Sequence, residues 1–203
     1  DVVMVVMHVG VEYQQDVDDE TKQWVDLFLE EGVDIVIGSH PHVVRTMETL
    51  TGEDGHKMLV YYSLGNFASG QTELENLLGG MADFTIKKDA DSGKISIEEY
   101  SLEPLVMHYN SDFSEAGIYK LSDYTEELAK EHGCSQQDSS DSEGEENSQD
   151  SLNNPEDETG EEEDSGFSLK ALQKAADAVG ELKNGESLEE DGDQEDSQEN
   201  IRQ

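Results

Sequence analysis

Apolar positions in the first third of the chain follow two rhythms. Residues 2–7 (Val-Val-Met-Val-Val-Met) and 33–37 (Val-Asp-Ile-Val-Ile) are short β-branched runs of the kind that form buried strands. Between them, residues 18–31 carry Trp24, Val25, Phe28 and Leu29 at helical spacing, which predicts a helix with those four facing a sheet. Asp16, Asp18 or Asp19 is placed to cap its start, and Gly32 to stop it. Strand, helix, strand reads as a βαβ unit, and a right-handed crossover makes its two strands parallel. Each run is followed by histidine: His8-Val9-Gly10 after the first, Gly38-Ser39-His40-Pro41-His42 after the second. Parallel strands end at one edge of the sheet, so all three imidazoles are expected on a single rim, the carboxyl edge where open α/β sheets bind ligands.

Further along, the pattern is less regular. Residues 58–64 predict a third strand, broken at Gly65-Asn66-Phe67. Residues 71–80 are polar and end in glycine, as a surface loop or a short helix would be. Residues 81–87 and 94–100 flank Asp89-Ala90-Asp91-Ser92-Gly93 and predict a β-hairpin, with 101–109 continuing or following its second strand. Residues 121–132 look like a closing helix that ends at Gly133.

Charge divides the chain into two parts. The 203 residues hold 12 Lys and Arg against 50 Asp and Glu, a net charge of −38, and half of that excess falls in the last third. Residues 135–203 have few large apolar side chains and are expected to stay largely disordered, because burial there cannot offset the ordering entropy. One island stands out: Leu169, Leu172, Ala176, Val179 and Leu182 share one face of a helix expected over 168–183, which would dock on the main body or on a partner. Acidity of this degree argues against nucleic acid and anionic membrane surfaces as partners. Cys134 is the single cysteine, so no disulfide forms within the chain. No apolar stretch reaches membrane-spanning length and no signal peptide is present. The chain begins at Asp1, without Met, and enters a buried-type strand at once, which reads as the C-terminal portion of a longer protein whose anchor, if any, lies in the missing part.

The candidate chemistry is metal binding. Pro41 stops the second strand, so His40 and His42 sit in one fixed loop within chelating reach of one cation or of two neighbouring ones. His8 at the adjacent strand end supplies a third imidazole. Gly10 would let backbone approach a ligand closely, Glu12 could orient His8 or a bound water, and Asn66 could bring an amide to the rim. A solvated acid at Glu12 and plain turn roles for Gly10 and Asn66 stand as alternatives. His56, His108 and His132 read as ordinary surface or edge residues. No Gly-x-Ser-x-Gly, phosphate-loop, Cys-x-x-Cys or dinucleotide motif occurs.

Three strings carry a resemblance: His8-Val9-Gly10-Val11-Glu12-Tyr13, the run from Gly32 through Gly38-Ser39-His40-Pro41-His42-Val43, and Tyr62-Ser63-Leu64-Gly65-Asn66-Phe67. In this order they resemble the CapA family, bacterial capsule-synthesis proteins linked to poly-γ-glutamate; Leu121-Ser122-Asp123-Tyr124-Thr125-Glu126-Glu127-Leu128-Ala129 fits as well. The resemblance implies that residues 1–133 are the C-terminal part of a calcineurin-like metallophosphoesterase α/β/β/α sandwich, with 134–203 an acidic tail beyond it. It implies divalent metal ions, possibly a dinuclear pair, with His8 as the isolated ligand and His40 and His42 as the paired ones. The superfamily's earlier ligands, including the bridging Asp, would precede Asp1, so this stretch carries about half a site and is expected to be inactive alone. The implied role is an accessory one in capsule synthesis or export at the cell surface, with polymer or polymer-synthesis machinery as partner and membrane contact only through an N-terminal anchor. The alternative is a metal-dependent phosphoesterase or related hydrolase.

Overall fold

A computed structural model describes residues 1–137 and 167–179. The first unit follows the predicted βαβ order. Strand β1 (Met4–His8) leads to helix α1 (Asp19–Glu30) and strand β2 (Ile35–Ser39), then β3 (Met47–Thr51) and β4 (Lys57–Tyr61). These four strands form a sheet in the order β1-β2-β4-β3. β1, β2 and β4 run parallel, with His8 opposite Ser39 and Ile37 opposite Tyr61, and β3 returns antiparallel on β4. Met47–Thr51 offers only two apolar side chains in five, too few to register as a strand before its partner was known. It is nevertheless held along its whole length by β4.

Helix α1 starts where an aspartate can serve it. Asp18 accepts hydrogen bonds from the Thr21 amide (2.9 Å) and the Thr21 hydroxyl (2.8 Å), and Gly32 follows the last turn with φ +75°. The buried face of α1 differs from the expected one. Thr21 and Val25 are buried and Phe28 and Leu29 are half-buried, but Trp24 is 44% exposed. The face turned to the sheet is centred on positions 21, 25 and 28, a rotation that carries the indole to the rim of the contact. Val25 packs with Met7, Val33, Val36, Met58, Val60 and Tyr62 in one cluster on that side of the sheet.

The other side is covered by a second sheet. The short helix α2 (Leu74–Leu77) runs straight into β5 (Leu78–Lys88), which pairs antiparallel with β6 (Ile95–Tyr109), and β6 with β7 (Ala116–Lys120). Residues 77–79, expected in a surface segment, are instead buried. The predicted hairpin at 89–93 is present, and β6 does continue through 101–109; β7, a short edge strand with a glycine, was not anticipated. Ile35, Leu59 and Tyr61 of the first sheet meet Leu78, Ile97, Leu102 and Val106 of the second in a single core. The fold is therefore α/β, with a mixed, largely parallel sheet against an antiparallel one and α1 on the outer face of the first.

Several elements close the end of this core. A 3-10 turn at Leu121–Asp123, α3 (Glu126–Glu131) and α4 (Gly133–Gln137) replace the single helix expected over 121–132. The break has a local cause: Thr125 is extended (ψ 164°), and its hydroxyl accepts from the Leu128 amide, so a fresh helix begins there. Helix α5 (Leu169–Ala178), capped by Ser168, is the docking helix read from the sequence, shorter than 168–183. Leu172 and Ala176 are buried in the inter-sheet core, and Val179 packs against it, so α5 docks on the body of the fold. Residues 135–137, expected in a disordered tail, belong to α4; the rest of that expectation, and the end of the expected helix at 180–183 with Leu182, lie outside the described residues. No helix among the described residues is long and apolar enough to cross a membrane.

Candidate functional site

The carboxyl edge of the parallel strands brings together every residue singled out there. His8 ends β1, Ser39 ends β2, the His40–His42 loop follows, and Asn66 lies beyond β4. The ring centroids of His8 and His40 are 4.7 Å apart, and those of His40 and His42 are 6.3 Å apart. The predicted clustering of the three imidazoles on one rim is what the fold builds.

The hydrogen bonds fix which nitrogens are open. Ser39 Oγ donates to the Met7 carbonyl at 3.3 Å, so its remaining capacity toward His8 Nδ1, 3.1 Å away, is as an acceptor. Nδ1 of His8 then carries the proton, and Nε2 presents a lone pair. That lone pair accepts from His40 Nδ1 at 3.1 Å. Two imidazole nitrogens bound tetrahedrally to one zinc-like ion at about 2.0–2.1 Å would sit about 3.3 Å apart, close to the observed spacing. At His42 the same logic applies. Asn66 Nδ2 faces the His42 carbonyl, Gln71 Oε1 and the Asn76 carbonyl, leaving Asn66 Oδ1 to accept from His42 Nδ1 at 2.9 Å. His42 Nε2 is left with its lone pair outward, 3.9 Å from Glu12 Oε1. Asn66 thus orients His42, and Glu12 faces His42 rather than the expected His8.

The loop that carries the pair is strained. His40 has φ +109°, outside the usual left-handed region, His42 has φ +63°, within the region that Asn, Asp and His enter more often than other L residues, and Tyr13 opposite them has φ +62°. Such conformations cost about 1–3 kcal/mol each and persist where surrounding structure over-determines them. Two glycines make the geometry possible. A Cβ on Gly38 would stand 2.1 Å from the Tyr62 carbonyl oxygen, so only glycine lets β2 approach the chain after β4 this closely. Gly10, φ +124°, would push a Cβ into Arg45, Asp18 and Pro41, each at 3.0–3.2 Å. A side chain here would collide with the packing beneath the loop.

Arg45 was missed by sequence reasoning. Its side chain is fully buried, and it donates from Nε to the Gln14 carbonyl (2.9 Å), from Nη1 to Asp18 Oδ2 (3.1 Å) and from Nη2 to the Val11 carbonyl (3.2 Å). One guanidinium therefore pins the 11–18 segment, with Glu12 and Tyr13, onto the rim. Burial pushes the Asp18 carboxyl up, but the Thr21 amide and hydroxyl and Arg45 outweigh it and hold it down to about 2. The sequence signal available was a lone basic residue three positions after a His-x-His loop, with no hint of its burial.

As donors, these residues fit part of a metal centre. His8 and His40 have the spacing of two ligands on one ion, and His42 offers a third nitrogen nearby. Among the described residues, however, no three His, Cys, Asp or Glu side chains converge tightly enough to complete a site. The remaining histidines are not rim residues. His108 and His132, expected at the surface or an edge, are both buried, 5.3 Å apart, in the core of the second sheet. His56 is half-buried and reaches the Val33 carbonyl at 2.8 Å.

Comparison with known proteins adds two findings. Residues 1–71, which include every rim residue, match the family described as bacterial capsule synthesis protein PGA_cap. The chain is also 33% identical over 89 residues to the PGA biosynthesis protein CapA of Bacillus subtilis (strain 168), an alignment covering 44% of this chain and 22% of that protein. The matched stretch is thus about a fifth of the relative's length. Over that stretch, this chain is similar to the bacterial capsule synthesis proteins.

Proposed function

We propose that the chain is part of a capsule-biosynthesis protein, acting in poly-γ-glutamate synthesis or export at the cell surface, whose histidine rim holds divalent metal. The family match and the likeness to CapA support the capsule role. The observation that carries the metal reading is the pair His8 Nε2 and His40 Nδ1, 3.1 Å apart on a backbone strained at His40. The layered α/β arrangement is compatible with a metallophosphoesterase-like sandwich, of which these residues would be the C-terminal part.

His8 and His40 would hold one ion and His42 would reach a second, with Ser39 and Asn66 fixing the rings by their far nitrogens. A bound divalent ion supplies Lewis acidity toward a phosphoryl or acyl oxygen and lowers the pKa of bound water. The chain's own residues would keep the imidazoles oriented, with Tyr13 stacked on His42 at 5.7 Å. Glu12, 3.9 Å from His42 Nε2, is the carboxylate beside that second position, and a complete dinuclear centre would need further acidic ligands besides it. A hydrolase acting on a phosphoester is the second reading, favoured by the open Nε2 of His42 and by the strain in its loop.

The test uses the full-length protein with His8→Ala and His40→Ala, read by bound metal per chain and by polymer output in a capsule-forming bacterium. Loss of bound metal together with polymer supports the reading. Polymer output unchanged after verified metal loss removes a functional metal centre and leaves a scaffold. Turnover of an aryl phosphate by the metal-loaded protein, abolished in the variants, decides for the hydrolase.

A further inference from the structure

Beside the histidine rim lies an open cleft of about 720 Å³, lined by Tyr13, Gln15, Gln71, Thr72, Glu73 and Asn76 among others. Its walls are shared with the rim. Gln71 donates to the Tyr13 hydroxyl (3.2 Å) and accepts from Asn66 (2.9 Å), so the cleft and the His42 support are one hydrogen-bonded structure.

Asn76 is the unusual member. The residue is 5% exposed, and its carboxamide makes no hydrogen bond among the described residues; only its backbone is used, the carbonyl by Asn66 and the amide in donating to the Glu73 carbonyl at 2.9 Å. No fully buried side-chain nitrogen or oxygen in the described structure lacks a partner. The Asn76 amide atoms therefore reach open space, and the space this residue lines is the cleft. A nearly buried carboxamide whose acceptor and donor hydrogens meet only the cleft is free to pair with a ligand that fills it.

We propose that this cleft is a ligand subsite for a small amide carrying an ammonium group, with Asn76 pairing to the ligand's amide and Glu73 and Glu75 holding its positive charge. The chemistry of the lining selects this class. A carboxamide matches another amide donor for acceptor. The charged side chains at the cleft are the exposed carboxylates of Glu73 and Glu75, and no Lys or Arg lines it. An anionic ligand would meet those two charges uncompensated, whereas an ammonium would find both. Tyr13 and Gln15 form the wall on the side of the rim. Because Gln71 and Tyr13 belong to both sites, occupancy of the cleft would also stiffen the support of His42.

Glycinamide is the probe, titrated into the full 203-residue chain with chelator present and followed through the side-chain amide signals of Asn76 and Gln15 by NMR. The chelator makes the result independent of whether the rim takes metal. A saturable shift of the Asn76 amide with glycinamide, and none with N-acetylglycinate at equal concentration, is the expected result. No saturable shift, or equal affinity for the anion, overturns the proposal. Asn76→Leu should lower glycinamide affinity at least tenfold. Should that variant fail to fold, Glu73→Gln with Glu75→Gln, both exposed, should weaken glycinamide severalfold; unchanged affinity there overturns the charge assignment.

Discussion

The rim trio and the interior pair of histidines show how one side chain takes opposite roles. His8, His40 and His42 stand at a strand edge: His8 is bonded to Ser39 and, by Nε2, to His40 Nδ1, and His42 to Asn66, while Nε2 of His40 and of His42 carries no hydrogen bond among the described residues. His132 has both nitrogens committed: Nε2 donates to the Met107 carbonyl (3.1 Å) and Nδ1 accepts from the Cys134 amide (3.0 Å). His108 bonds the Tyr124 hydroxyl at 2.8 Å, and His132 stacks on Phe167, just before α5, at 4.2 Å. An imidazole with open valence on a strained backbone is arranged for a ligand. One with its valences closed inside a core is arranged for packing. Environment separates the two groups, while composition counts them alike.

The largest effect should come from breaking the interior member. His132→Ala leaves the Cys134 amide and the Met107 carbonyl unpaired and opens a void under Phe167. The expected cost is about 3–5 kcal/mol of unfolding free energy. His40→Gly at the rim should instead be neutral or stabilising by about 1 kcal/mol, since glycine relieves a φ of +109°. Urea midpoints at constant slope measure both. Similar losses in the two variants would erase the distinction.

Acid should act on the interior next. Burial, together with nearby His108, pushes the His132 imidazole down to about 4, against the opposing pull of the Met107 carbonyl. The unfolded chain, at the ordinary value of about 6.5, binds that proton first. Stability therefore falls as pH drops from about 6.5 toward 4, by up to about 3 kcal/mol. Asp18 contributes nothing to this window: its carboxyl, held down to about 2, loses its stabilising effect only below the unfolded value near 3.8. Urea midpoints at pH 7, 5.5 and 4.5 should show the decline, and His132→Gln, which keeps a donor and an acceptor, should flatten it. An equally steep decline in His132→Gln would assign the effect elsewhere.

Metal should act on the rim alone. Zinc at one hundred times its dissociation constant raises unfolding free energy by about 2.7 kcal/mol if it binds only the folded chain. Thermal shift should report this gain in the unmodified protein and in His108→Gln, and lose it in His8→Ala with His40→Ala. A zinc shift that survives the rim variants would place the ion at some other group.

What the sequence revealed divides along the same line. The βαβ unit and the rim were legible because strand ends and histidines coincide in sequence, and parallel pairing then needs no long-range information. Tyr13, Gln71 and Asn76 were not legible as one cleft, because they meet only when α2 folds back beside the 11–18 segment. Arg45 gave no sign of burial, since its three acceptors are two backbone carbonyls and an aspartate far away in sequence. His108 and His132 looked peripheral because β7 and α3, which enclose them, have weak patterns of their own. Trp24 misled in the opposite way: its spacing with Val25, Phe28 and Leu29 suggested the sheet-facing side, but the helix turns it outward.

The smallest effect sharpens the comparison most, because it separates orientation from ligation within the rim. Ser39 does not offer an atom to a metal in this geometry. Its hydroxyl donates to the Met7 carbonyl and accepts from His8 Nδ1, which keeps the open lone pair of His8 on Nε2, toward His40. Ser39→Ala removes that bond while leaving every candidate ligand in place. His8 can then shift its proton to Nε2, the tautomer that cannot bind beside His40. Supporting partners of this kind typically change metal affinity about 10–100-fold when removed, so zinc should bind at least about tenfold more weakly, with folding stability changed by less than about 1 kcal/mol. Calorimetric zinc titration alongside urea unfolding reads both. Ser39→Thr, which retains the hydroxyl, should recover most of the affinity. Unchanged zinc binding in Ser39→Ala would mean that His8 needs no orienting partner, and the rim would then differ from the interior pair in exposure alone.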